Sequence, residues 1–137
     1  MILYADTSSL VKLYVEETGS DYVRKCLQKA DIVATCRIAL PEMLSALTRR
    51  FNNHQIEPDT FDLLVKAVRA DWRHIVALDV DEHPAADLVQ RYGLRGYDAV
   101  HLACAIKLAA REQLNLIFSS FDQQLVQAAS AEGLNTV

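Results

Sequence analysis

Four acidic residues, Asp6, Glu42, Asp98 and Asp122, each stand where a strand pattern ends or a helix pattern begins. Gathered by folding, they would repel one another. At about 4 Å, two like charges cost about 4 kcal/mol at an effective dielectric of about 20. Such a cluster is offset by a raised pKa or by a bound cation. Carboxylate oxygens are hard ligands, so the cation that suits them is Mg²⁺ or Mn²⁺.

Each acid also has an ordinary structural use. Asp6 directly follows a strand pattern and can cap the next helix, as can Ser8 or Ser9. Glu42 suits a helix N-terminal turn through the dipole, and its own face runs on through Ala46, Arg49 and Asn53. Asp98 opens a helix that is apolar nearly all round, where an unpaired carboxylate is expensive unless capping satisfies it. Ser120-Phe121-Asp122-Gln123 fits a capping box with Asp122 as a first-turn acid. Asp79 also ends a strand pattern and competes for the pocket on the same grounds. Singly, each acid reads as structural. Together they read as a site.

Other chemistries find little support. His54, His74, His83 and His101 are scattered, which argues against a soft or borderline metal site. His101 reads as a packed residue on the helix that Asp98 opens. Cys26, Cys36 and Cys104 are an odd set without C-x-x-C spacing, so they read as reduced cytosolic thiols.

The elements that must position the acids alternate along the chain. Ile2-Leu3-Tyr4-Ala5 is a buried first strand, followed at once by a helix with its amphipathic run from Leu10 to Val15. Asp31 to Ala34 is a second strand, with Thr35 as a cap for a helix carrying Leu40, Met43, Leu44, Leu47 and Phe51. Pro41 either sits in that helix's first turn or kinks it before Glu42. Pro58 opens a helix with a Phe61-to-Trp72 apolar stripe; Ile75 to Leu78 is a strand, and Pro84 to Tyr92 a short helix. Gly96 precedes the apolar helix that begins near Asp98. Leu114 to Phe118 is a fourth strand, Asp122 to Ala131 a helix, and Asn135 to Val137 a last strand. Strands alternating with helices specify a parallel sheet covered on both faces, with the pocket beyond the strands' carboxyl ends.

With 137 residues, 1–137 forms one domain. A hydrophobic fraction of 51% with 23% charged residues is ordinary for a soluble protein. Asp6 interrupts the only apolar start before a signal peptide could form. The longest apolar candidate, Ala99 to Ala110, is too short for a membrane span and carries His101 and Lys107. The expected location is cytoplasmic. A net charge of −4 argues mildly against broad nucleic-acid affinity but leaves room for a local basic patch. Lys12 and Arg37 lie near the acids and suit either phosphate contact or solvated surface. Lys66, Arg69 and Arg73, with Arg49 and Arg50 on the preceding helix, form a solvated face by default and a phosphate-contact stripe as the alternative.

The chain resembles PIN domains, specifically the VapC-type toxin ribonucleases. The run from Tyr4 to Tyr14, with Asp6-Thr7-Ser8-Ser9, is similar to that family's first motif, and Leu40-Pro41-Glu42 with Leu44 and Ala46 to its second. Asp98-Ala99-Val100-His101-Leu102-Ala103 matches the third. Phe118 to Asp122, with Leu125, Ala129 and Gly133-Leu134, resembles the last, except that Ser120 stands where the family often has Thr in Thr-x-Asp.

The resemblance implies a three-layer α/β/α fold with a central parallel sheet of about five strands in the order 3-2-1-4-5. It implies an endoribonuclease dependent on Mg²⁺, with Mn²⁺ as a substitute, whose acids are Asp6, Glu42, Asp98 and Asp122. Asp6 and Asp98 would ligate directly, and Ser8 and Ser120 would supply hydroxyls that orient the acids. Asp79 has no counterpart in the motifs. A water of lowered pKa would attack the phosphate, with Glu42 accepting its proton. The implied partners are RNA, a cognate antitoxin whose C-terminal segment lies near the acids, and a second copy in a homodimer. The alternatives are a PIN nuclease acting in RNA processing or on DNA, and a catalytically silent interaction module. A crowded anionic pocket further predicts that Asp98→Asn raises metal-free stability and weakens Mn²⁺ binding.

Overall fold

The computed structural model describes residues 1–112 and 115–137. Its centre is the strand β1 (Ile2–Ala5), every residue of which is buried. A short unbroken apolar run of this kind suits a strand covered on both faces. On one side β1 pairs with β2 (Ile32–Cys36), which pairs with β3 (Val76–Leu78); on the other it pairs with β4 (Leu116–Ser119), which pairs with β5 (Asn135–Thr136). All four pairings are parallel and the order is β3-β2-β1-β4-β5, as the resemblance implied.

Parallel strands need crossovers, and the helices supply them on both faces. One face is covered by α1 (Thr7–Val11), α3 (Ala39–Asn52) and α4 (Pro58–Asp71). There Leu10, Met43, Leu47 and Val68 form a buried cluster with Ala5. Phe61, Leu64 and Trp72 of the α4 stripe pack against it, and Phe51 stacks on Phe61 at 4.5 Å between centroids. The opposite face is covered by α5 (Glu82–Tyr92), α6 (Gly96–Glu112) and α7 (Gln123–Ala131) over Ile2, Tyr4, Ala34, Cys36, Leu116 and Phe118. Residues 101–105 of α6 are all buried, as expected for a helix apolar on nearly every side.

Several boundaries differ from the sequence reading, each for a local reason. The stretch from Val15 to Asp31, left unassigned, contains the helix α2 (Ser20–Lys29). Gly19 stands at its N-cap position with φ +96° and offers no side-chain cap, so the usual start signal is missing. The first helix is shorter than its apolar run, since Leu13, Tyr14 and Val15 pack on the core from a turn. Thr35 is not a cap: β2 continues through Cys36, leaving the Thr35 hydroxyl buried without a hydrogen-bond partner. Pro41 sits in the first turn of α3, where its missing N–H is harmless. Helices α5 and α6 each start two residues before the expected point, at Glu82 and Gly96. Leu114, the expected start of the fourth strand, lies outside the described residues. Cys26, Cys36 and Cys104 are free thiols. Among the described residues no helix is long and apolar enough to cross a membrane.

Candidate active site

Because β1 is central and β4 lies beside it with Ala5 opposite Ser119, the two strands deliver their next residues to one place. The Asp6 N–H donates to the Ser119 carbonyl at 3.1 Å. Asp6 then caps α1, its Oδ1 accepting from the Ser9 N–H at 3.0 Å and from Ser8 Oγ at 2.6 Å. Its Oδ2 accepts from Ser120 Oγ at 2.6 Å. Capping and site placement are the same event. The residue is only 4% exposed. Burial pushes the Asp6 pKa up; the bonds from Ser120 and Ser8, the nearby His101 and the Ser9 N–H pull it down without cancelling that rise.

Asp122 is itself the N-cap of α7, with Oδ1 accepting from the Leu125 N–H at 3.0 Å. The capping box assigned to Ser120 is therefore corrected. Ser120 instead accepts from the Asp122 N–H at 3.1 Å while donating to Asp6, so one hydroxyl couples two acids. Ser8 accepts from the Phe121 N–H at 3.0 Å and completes the link between the two turns.

Asp98, in the first turn of α6, is joined to Asp122 by an arginine. Arg95 Nε donates to Asp98 Oδ2 at 3.0 Å, and its Nη2 to Asp122 Oδ2 at 3.2 Å. The bond to Asp98, with both acids' charge, holds the guanidinium's pKa above its usual value.

Glu42 points inward, despite a helical face that does not require it. Its Oε1 accepts from Thr7 Oγ1 at 2.8 Å and from His101 Nε2 at 2.9 Å. A carboxylate only accepts, which places a proton on Nε2, while Nδ1 is hydrogen-bonded to the Tyr4 hydroxyl at 3.1 Å. Burial raises the Glu42 pKa, but the bonds from His101 and Thr7 outweigh it and hold the carboxyl below its usual range. His101 is packed, as expected, lying edge-on to Tyr4. It also orients Glu42, which the sequence reading did not foresee.

All four acids therefore stand at the carboxyl edge of the sheet, in two hydrogen-bonded groups. Asp6, Asp122 and Asp98 are linked through Ser120 and Arg95; Glu42 is drawn aside by Thr7 and His101. Among the described residues, no three Asp, Glu, His or Cys side chains stand close enough together to hold a metal ion as they are arranged. The donor set nonetheless fits a hard divalent cation. It is all carboxylate and hydroxyl oxygen, and two of its acids share a positive group in Arg95. A cavity of about 630 Å³ opens over Glu42, Arg95, Tyr97 and Asp98, with Ala85 and Val89 as its apolar wall. A second, of about 490 Å³, adjoins it, since Glu42 and Tyr97 line both.

Of the other candidates, one lines the site: Arg49 stands in the second cavity with Glu42 and Thr7. Asp79 pairs with Arg37 on the exposed edge beyond β3. Lys12 is committed to Glu17 at 3.1 Å, to the Thr18 carbonyl at 2.8 Å, and to the face of Phe121 at 4.4 Å. Lys66, Arg69 and Arg73 are exposed, and Arg50 pairs with Glu17. Arg95 and Thr7 were missed. One signal was available for Arg95: it precedes Asp98 by three residues at the start of a helix, the spacing at which side chains meet.

The PIN domain family model matches residues 3–131. Ribonuclease VapC45 of Mycobacterium tuberculosis is 33% identical over 96% of this chain and 92% of its own length. The crystal structure of PAE2754 from Pyrobaculum aerophilum superposes with a TM-score of 0.65 at 17% identity, covering 100% of this chain and 84% of that one. That of Mycobacterium tuberculosis VapC20, a toxin that cleaves the sarcin-ricin loop, does so with a TM-score of 0.64 at 16% identity, covering 96% and 95%. The chain belongs to the PIN-domain family, within its VapC ribonuclease branch.

Proposed function

We propose that Asp6, Glu42, Asp98 and Asp122 are the working acids of this chain's endoribonuclease activity, with Mg²⁺ as the ion and Mn²⁺ as its substitute. The observation that carries this reading is the buried Asp6 carboxylate, joined through Ser120 to Asp122, which in turn shares one guanidinium with Asp98. A divalent cation supplies the charge that acidifies a water and stabilises the leaving oxygen of a phosphodiester. Asp6 and Asp98 would be the principal residues that hold it, with Asp122 and Glu42 beside them.

The chain's own residues do the rest. Ser8 and Ser120 fix the two oxygens of Asp6. His101 and Thr7 keep Glu42 ionised and aimed, so it is the group that takes the attacking water's proton. The RNA strand lies along the two adjoining cavities.

In this reading residues 1–137 work as one unit in the cytoplasm. The protein is the toxin of a toxin–antitoxin pair, as the names of its VapC relatives support. The antitoxin's C-terminal segment covers the larger cavity, and a second copy completes a homodimer.

The test is RNA cleavage by Asp6→Asn, Glu42→Gln, Asp98→Asn and Asp122→Asn. Loss of even an outer partner of a metal ligand costs about 10–100-fold. Asp6→Asn and Asp98→Asn should lose at least about 100-fold, and the other two about 10–100-fold. Cleavage by Asp98→Asn at the wild-type rate overturns the assignment. Growth arrest on expression, relieved by a partner encoded alongside, distinguishes a toxin from a PIN nuclease of RNA processing.

A further inference from the structure

Arg95 is placed where the acids need a positive charge, yet its own surroundings do not hold it there. The guanidinium makes just two hydrogen bonds among the described residues, to Asp98 Oδ2 and Asp122 Oδ2, and its side chain is 80% exposed. Neither acid depends on it for its place in the fold. Asp122 caps α7 through its other oxygen, Oδ1. Asp98 is carried by α6, and that helix is anchored by its buried run through Ala105. The backbone under Arg95 is fixed as well: Leu94 is buried, and Gly93 ends α5 in a left-handed turn at φ +66°. The long side chain is thus a free arm on a fixed shoulder, at the mouth of the 630 Å³ cavity that it lines.

A guanidinium stays charged at any working pH, so it leaves an incoming cation by moving, not by losing a proton. Two positive groups on the same pair of carboxylates repel each other. The fork that fits two carboxylates fits the oxygens of a phosphate equally well. We propose that Arg95 is a positioning residue with two alternative partners. In the metal-free chain it clasps Asp98 and Asp122; with those acids occupied by a divalent cation, it turns to an RNA phosphate beside the scissile bond. This rests on the reading of the acids as ion-holding groups. It makes ion and RNA binding cooperative through one side chain, because the ion releases the arm that RNA requires.

Calorimetric titration of wild type, Arg95→Ala and Arg95→Lys with Mn²⁺, without RNA, reads the first half. Exposed ion pairs are weak, so Arg95→Ala should bind Mn²⁺ about three- to tenfold more tightly than wild type. Arg95→Lys, which keeps the charge and loses the fork, should fall between them. The second half is read by binding of a mixed-sequence single-stranded RNA, with Ca²⁺ in place of Mg²⁺, across a salt series. Wild type should show a log–log salt slope steeper than that of Arg95→Ala by about 1, one phosphate contact's worth. That gap should close when Ca²⁺ is omitted.

Mn²⁺ affinity in Arg95→Ala equal to or weaker than wild type overturns the proposal. So does a slope difference unchanged by Ca²⁺. If wild type itself binds no Mn²⁺, the reading of the acids fails along with it. If wild type binds Mn²⁺ and Arg95→Ala matches it, the role of Arg95 alone fails.

Discussion

Asp6 carries the electrostatic strain that the sequence reading placed on Asp98. Asp98 is relieved by Arg95, whereas Asp6 is buried and meets hydroxyls and one N–H in place of a cation. The structure therefore moves a prediction from one residue to the other. Asp98→Asn gives up an exposed ion pair, so metal-free stability should change by no more than about 1 kcal/mol, while Mn²⁺ binding weakens. Asp6→Asn should be the stabilising change. The folded-state pKa of Asp6 is raised, so the folded chain binds more protons than the unfolded one above the ordinary carboxylate value of about 3.9. Wild-type stability from this group is complete below that value and is lost as pH rises through the raised folded pKa. Glu42 has the opposite sign: its folded pKa is lowered, so its contribution is present above about 4.3 and is lost as pH falls through the folded pKa. Thermal melts of metal-free wild type and Asp6→Asn should therefore coincide in acid and diverge toward neutral pH, with the variant melting higher. A constant offset at every pH would contradict this.

The two turns after β1 and β4 behave as one element, joined by Ser8 and Ser120. Ser120→Ala removes the donor to buried Asp6 Oδ2 and the acceptor for the Asp122 N–H. It should cost about 1–3 kcal/mol in denaturant unfolding, and about 10–100-fold in Mn²⁺ affinity. Gly19 supports the same turn from behind: a Cβ there would come within 2.5 Å of the Phe121 ring, at a φ of +96°. Gly19→Ala should cost about 1–2 kcal/mol from the left-handed backbone alone. Thr35→Val works in the other direction. It removes a buried hydroxyl with no partner from the middle layer, and should stabilise the chain by about 1 kcal/mol, read from the unfolding midpoint. The elements hardest to find were those whose signals were missing or borrowed. Helix α2 begins at a glycine without a cap, and Thr35 resembles a cap because an apolar run precedes it.

Across the whole molecule, the layered architecture was legible because it rests on a strong pattern, while the strand order came only with the family resemblance. An unbroken apolar β1, a nearly all-apolar α6 and regular alternation leave few arrangements other than a parallel sheet covered on both faces. The placement of the acids followed from that sheet. What holds them did not, because those bonds join distant parts of the chain. Glu42 and His101 are 59 residues apart, Arg95 and Asp122 are 27 apart, and Ser120 and Asp6 are 114 apart. No local period or cap records such pairs; the motifs pointed to the acids, left Arg95 outside them and gave Thr7 no role.

The central claim is that these acids cut RNA only with a hard divalent cation. It is tested most directly by measuring cleavage of one RNA by the wild-type chain after treatment with EDTA, and again as Mg²⁺ is restored. The account predicts that cleavage disappears with EDTA and returns with added Mg²⁺ or Mn²⁺. Cleavage that persists undiminished in EDTA would contradict it.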